Sequence, residues 1–233
     1  MKKLGFLIFI IAIIIGVGFA GFFSWGKAGA ELFDFNFSIG RAKGSGNIVS
    51  ETRDLRDFKA IEVGGVFHVE VVAQKDFSVQ VEADDNLLEH IKTEVHNGVL
   101  EISTSRKMKS HNGLKIKITA PDIERLEVSG VAKISVADLK NAGLRINTSG
   151  ASKINLSGET DKLIVEVSGA SNIEAETLKT REAAVESSGA SKVSVFATES
   201  LRADASGASR ITYTGGATDV VKKTSGTSSV SQR

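Results

Sequence analysis

The stretch "SGASKI" at residues 149–154 recurs as "SGASNI" at 168–173, "SGASKV" at 188–193 and "SGASRI" at 206–211. Looser copies are "SGVAKI" at 129–134 and "SGTSSV" at 225–230. The leading serines are 20, 19, 20, 18 and 19 residues apart. A repeat of this length means stacked units. It is too short for a pair of helices and suits one coil of a β-solenoid, in which short strands meet at tight corners.

Aligning the copies on the leading serine gives the direction of each side chain. Three and five residues before it stand Ile146 and Leu144, Val165 and Leu163, Val185 and Ala183, and Ala203 and Leu201. Five and seven after it stand Ile134 and Val136, Ile154 and Leu156, Ile173 and Ala175, Val193 and Val195, and Ile211 and Tyr213. Two segments of strand period therefore flank each corner, with apolar residues on one face. The predicted fold is all-β, a parallel β-helix or β-solenoid with coils of about nineteen residues. In the corners, Gly130, Gly150, Gly169, Gly189, Gly207 and Gly226 are expected to supply positive φ. The alanine that follows keeps the corner narrow. Stacked serines are expected to pass hydrogen bonds from coil to coil at the ~4.8 Å strand spacing.

The outward positions form two charged columns. Two residues before the leading serine stand Glu127, Asn147, Glu166, Glu186, Asp204 and Lys223; four after it stand Lys133, Lys153, Asn172, Lys192, Arg210 and Ser229. Lys133, Lys153, Lys192 and Arg210 are thus a candidate ladder for a polyanion such as an envelope glycan. The plainer reading is a solvated β face that uses charge to discourage aggregation.

Catalytic and metal readings find little support. "G-x-S" occurs in the corners but "G-x-S-x-G" does not, and the repeats contain no His to act as a base. His68, His90, His96 and His111 form no H-E-x-x-H or H-x-x-E-H spacing. Asp138, Glu159 and Asp161 are near one another in sequence, as a carbohydrate-active solenoid enzyme would need, but fall in apparent loops. The chain has no Cys, which excludes disulfides and thiolate chemistry. No cofactor is expected.

Of 233 residues, 41% are hydrophobic and 24% charged, as in ordinary folded proteins. Aromatics are only 6%, and eight of the twelve Phe precede residue 38, so the solenoid core must come from Val, Ile, Leu and Ala. The formal net charge is +1; without Lys2 and Lys3 the remainder carries −1, which offers no general attraction for nucleic acid.

Those two lysines precede residues 4–26, which carry no charge and are long enough as a helix to cross a ~30 Å hydrocarbon layer. Lysines on that side place the N-terminus in the cytoplasm and the bulk outside. The alternative is a cleaved signal peptide, for which "AGA" at residues 28–30 is a suitable cleavage pattern. Either way the remainder is exported, anchored by a single pass or released. Residues 1–30 are therefore read as a signal anchor or signal peptide and 31–45 as a juxtamembrane linker, with 40–47 flexible. Residues 46–128 form a β-rich opening segment and 129–230 the solenoid repeats.

In the opening segment, strands are expected at 58–63, 66–73, 77–83, 99–104 and 114–120, with turns at Gly64-Gly65, Lys75-Asp76 and residues 96–98. "DDNLLEHI" at 84–91 reads as one helical turn capped by Asp85 or Asn86, with Leu87 and Leu88 inward. Residues 106–113 read as a basic, polar loop.

"GNIVSETRDLRDFKAIEVGGVFHVEVV" (46–72), "VQVEADDNLLEHIKTEV" (79–95), "KIKITAPDIERLEVSG" (115–130) and the "SGAS" corners together resemble the "putative autotransporter-adhesin, head GIN" family of bacterial exported proteins. The resemblance covers about residues 46–225. It implies a β-helical envelope protein and supplies no catalytic residues. The residues after Ser225 are too few for a membrane β-barrel, so no autotransporter barrel is expected among them. The leading expectation is a non-enzymatic cell-surface module that engages an envelope glycan or surface protein. A carbohydrate-active solenoid enzyme and the ectodomain of an envelope stress or signalling system remain as alternatives.

Overall fold

The structure, a computed structural model, describes residues 41–233. The apolar segment read as an anchor or signal helix lies outside the described residues. No helix among the described residues is long and apolar enough to cross a membrane.

The opening strands are β1 (Ala42–Lys43), β2 (Ile48–Arg53), β3 (Ala60–Val63), β4 (Val66–Val72), β5 (Ser78–Asp84), β6 (Ile91–His96), β7 (Val99–Thr104), β8 (Met108–Lys109) and β9 (Lys115–Thr119). They continue into β10 (Arg125–Val128), β11 (Val131–Thr148), β12 (Lys153–Gly169), β13 (Asn172–Gly189), β14 (Lys192–Phe196), β15 (Ser200–Ala205), β16 (Arg210–Thr214), β17 (Asp219–Thr224) and β18 (Ser229–Gln232). All but β1 and β8 belong to one 16-stranded sheet. The repeats form a β-solenoid, as the period predicts. Strand segments before the corners stack in one parallel column and those after them in another.

The core is a set of aliphatic ladders. Ile116, Val69, Ile134, Ile154, Ile173, Val193 and Ile211 stand on successive rungs, each fully buried. Burial of one such side chain contributes about 1.5–3 kcal/mol. Leu126, Ile146, Val165, Val185 and Ala203 form a facing ladder. Buried aromatics among the described residues are few, Phe58, Phe67 and Tyr213, and none lies in β11, β12 or β13.

Differences in coil length are absorbed at the bend opposite the corners. Register shifts fall between Val136 and Leu139 and between Asn155 and Ser157, so β11 and β13 each carry one residue more than β12 there. Asp138, at φ 58°, takes up the extra residue in β11. The corners themselves stay aligned, Gly169 directly beside Gly189.

Stacking order departs from chain order at the start. β3 and β4, joined at Gly64-Gly65, form a coil of their own, lying against β10 and β11 on one side and β7 and β9 on the other. Beyond these, β6 runs antiparallel on β7, β5 on β9 and β2 on β5, closing this end. At the far end Lys222 takes the rung that Ala203 fills one coil earlier, and its ammonium lies 4.8 Å from the Tyr213 ring centroid. A charge at an inward position is a known guard of a strand edge.

Several local expectations are corrected. Residues 45–47, expected as flexible linker, are tied to Asp84, Asp85 and Asn86 by hydrogen bonds, and the Gly44 N–H donates to the Lys109 carbonyl. β1 and β8 put a short parallel pair into the supposed linker and basic loop. The helical turn is a 3-10 helix (Asp85–His90) whose N-cap is Asp84, with no side-chain capping bond. Four of the six corner glycines have positive φ: Gly169 (151°), Gly189 (92°), Gly207 (72°) and Gly226 (75°). Gly130 and Gly150 do not; close approach explains them instead. A Cβ on Gly130 would run into the carbonyl of Gly65, and one on Gly150 into that of Gly130.

The two serines of each corner differ. The second, Ser152, Ser171, Ser191 and Ser209, is at most 4% exposed. Ser171 donates to the Gly150 carbonyl at 3.1 Å and accepts the Ser152 N–H at 3.1 Å, bridging two coils. The first, as at Ser168, is exposed. Ser171→Ala should therefore cost about 1–3 kcal/mol, since a buried donor loses its acceptor. Ser168→Ala should stay within about 0.5 kcal/mol. Gly189→Ala should cost about 1 kcal/mol or more. Denaturant titration of the three variants checks this, and equal costs for the two serines would contradict the assignment of an inward and an outward serine.

Candidate functional site

The register brings both predicted charge columns into being and extends them. Lys133, Lys153, Asn172, Lys192, Arg210 and Ser229 pair rung to rung. The column continues into the opening coils through His68 and Lys115. The four basic residues are exposed. The ladder is not uniform: Lys153 is held by Glu174 at 2.9 Å, and Asn172 fills the next rung while donating to the same Glu174 at 2.8 Å. The Lys153 hydrogen bond, with smaller help from Asn172 and Lys192, keeps the Glu174 carboxyl below its usual range. Among the described residues Lys133, Lys192 and Arg210 make no ion pair within the chain.

On the other side of the corners, Glu101, Glu62, Glu127, Asn147, Glu166, Glu186, Asp204 and Lys223 share a column. From Glu62 to Asp204 it lines a groove of about 560 Å³ together with the first serines of the corners. Arg125 lies 3.4 Å from Glu127, and Arg145 lies 2.7 Å from Glu166 in the next coil. Glu62, Glu186 and Asp204 have no such partner among the described residues.

Of the carboxylates singled out for glycoside chemistry, Glu159 and Asp161 line one depression, and each is held by a basic side chain. Glu159 lies 3.5 Å from Lys179 and Asp161 lies 3.6 Å from Arg181, which also holds Glu199 at 2.8 Å. Asp138 serves the far bend. Each His lies within 4 Å of one carboxylate, His68 of Glu70, His90 of Glu89, His96 of Glu94 and His111 of Asp84, and Glu101 also acts on His96.

Sequence reasoning missed the extension of both columns into the first coils. The signal was there: "EVGGVFHVEV" (62–71) aligns with "EVSGVAKISV" (127–136), placing Glu62 on Glu127 and His68 on Lys133.

A model of the family described as "Putative auto-transporter adhesin, head GIN domain" matches residues 57–217, more than half of the chain. No curated protein matches. Three solved structures share the fold. A "putative adhesin" from Bacteroides fragilis NCTC 9343 has 22% identity and a TM-score of 0.63, covering 82% of this chain and 99% of that one. A "putative adhesin" from Parabacteroides merdae ATCC 43184 has 20% identity and a TM-score of 0.53, covering 83% and 99%. A "Putative lipid binding protein" from Parabacteroides distasonis ATCC 8503 has 20% identity and a TM-score of 0.52, covering 83% and 100%.

Ahead of the family match, residues 44–47 are fastened by a buried charge. The Asp84 side chain is wholly buried and accepts hydrogen bonds from the Ser110 hydroxyl at 2.6 Å and the Gly46 N–H at 2.7 Å, with His111 Nδ1 at 3.4 Å. The Ser110 bond, aided by Gly46 and His111 against the opposing effect of burial, lowers its pKa from the ordinary 3.8 to about 2. A folded-state value below the ordinary one means that the contribution to stability is complete above about 3.8 and lost as pH falls through about 2. Asp84→Asn should therefore lower the thermal midpoint near neutral pH and weaken the acid-linked fall in stability. Melting curves across the acid range check this; a variant that melts like the parent at every pH would contradict it.

Proposed function

The chain belongs to the head GIN adhesin family, and from that premise we propose that it is a non-enzymatic, adhesin-like module displayed at the cell surface. Residues 4–26 act as a single-pass anchor, leaving the solenoid outside. The alternative, release after cleavage near Ala30, is decided by N-terminal sequencing of the exported protein: a mature chain beginning at Glu31 removes the anchor.

The contact face is the column after the corners, and its ligand is an anionic glycan. The observation that carries this reading is the exposed, in-register ladder of Lys133, Lys153, Lys192 and Arg210, three of which have no ion-pair partner within the described chain. From first to last it spans about 19 Å, four strand spacings, the reach of a short oligosaccharide. The solenoid holds the four charges in a fixed row, so a rigid polyanion meets them without ordering a loop.

Binding is electrostatic and should weaken steeply with salt, as the Debye length falls from ~10 Å at 0.1 M to ~3 Å at 1 M. Replacing all four by Gln should abolish binding of a uronic-acid or sulfated oligosaccharide with little loss of stability, since outward solvated side chains contribute little to it. Titration of such oligosaccharides against parent and quadruple variant tests this. Equal binding by both, or none by the parent at low salt, overturns the anionic-glycan reading.

A further inference from the structure

We propose that the acidic groove of one copy receives the basic ladder of a second copy, rung against rung, so that the chains associate side by side. The inference stands on the complementarity of the two columns and does not rest on the anionic-glycan reading.

The two columns have the same translational repeat because both are built from the same parallel ladders, at ~4.8 Å per rung. The acidic residues line a groove, whereas Lys133, Lys153, Lys192 and Arg210 are exposed on long side chains. A second copy of this chain carries cations at the required spacing by construction.

The register is specified by the gaps. With two copies parallel and level, Glu127 faces Lys133, Glu186 faces Lys192 and Asp204 faces Arg210. At the two inner rungs where an Asn replaces a charge, the opposing residue is satisfied within its own chain. Asn147 faces Lys153, which Glu174 holds at 2.9 Å; Asn172 faces Glu166, which Arg145 holds at 2.7 Å. The one cation of the acidic column, Lys223, faces the uncharged Ser229. Sliding one rung in one direction sets Lys223 against Arg210; sliding in the other pairs Asn147 with Asn172 and leaves Asp204 against Ser229. Among parallel arrangements, only the level one places the unpaired Glu186, Asp204, Lys192 and Arg210 against opposite charges.

The columns lie on opposite sides of the corner, so each contact leaves the other column of both copies open. Such a heterologous contact repeats and builds a row rather than a closed dimer. Parallel orientation is the one that chains tethered by the same end share. Exposed ion pairs are individually weak, so the row forms at high local density and low salt.

The test uses full-length chain in detergent, fluorescently labelled, with energy transfer between copies as the readout. Two variants divide the contact: E186Q/D204N keeps the basic column and K192Q/R210Q keeps the acidic one. The parent should show transfer at low ionic strength, where the Debye length is ~30 Å, and lose it at 1 M salt, where it is ~3 Å. Each variant alone should lose at least about tenfold in association, and mixing the two should restore it, because the mixture rebuilds one intact contact. Both variants keep residues 4–26, so contacts through that segment are equal in all samples. A parent that associates no more than either variant, or a mixture no better than its components, overturns the proposal. E186Q/D204N should still bind the anionic oligosaccharide, so failure of the self-association reading is distinguishable from failure of the glycan reading.

Discussion

Each corner glycine from Gly130 to Gly207 turns its carbonyl oxygen towards the next coil, and that oxygen occupies the space a side chain there would need. The Gly130 carbonyl receives the Ala151 N–H at 3.1 Å, Gly150 that of Ala170 at 3.1 Å, Gly169 that of Ala190 at 2.9 Å, and Gly189 that of Ala208 at 2.8 Å. A Cβ on Gly189 or Gly207 would come within 2.5 or 2.7 Å of the preceding glycine's oxygen. Backbone pairing thus runs unbroken round the corner, and the requirement for no side chain is set by the neighbour in the stack as much as by φ. At Ser152 and Ser171 the buried second serine adds a further bond to the same carbonyls; Ser191 and Ser209 donate to serine carbonyls of the corner strands instead.

The charged columns depend on this alignment. With the corners fixed rung by rung, variation in coil length is displaced to the opposite bend, where the register shifts lie. A bulge placed between a corner and its charged neighbour would turn the column to the other face of the strand. That the residues two before and four after the leading serine keep their direction through every coil is why isolated surface charges become ladders with a constant spacing.

The repeats were legible because two periods coincide in them: alternation along the strand and about nineteen residues between corners. Ile134, Ile154, Ile173, Val193 and Ile211 could be assigned inward from sequence alone, and all are fully buried. The coil of β3 and β4 was not recognised as one, because the end-closing strands are inserted between Val72 and Arg125 and break the period; only the likeness of "EVGGV" to "EVSGV" survives. The split roles of the two serines were invisible because both are small and polar, and which one points inward depends on how the corner bends. The chemistry of Asp84 was equally hidden, since its partners Gly46 and Ser110 are 38 and 26 residues away in the chain. At the candidate site the columns could be read, but not their interruptions: Glu174 had no place in the predicted ladder, yet it is what occupies Lys153.

If stacked corner carbonyls hold the solenoid in register, the corners are among its most protected parts. Native-state hydrogen exchange resolves this amide by amide. The N–H groups of Ala151, Ala170, Ala190 and Ala208 should exchange as slowly as those of the buried-strand residues Ile154 and Ile173, through unfolding of the stack. Exchange of these four amides at the rate of exposed turns, with the strands still protected, would contradict the account.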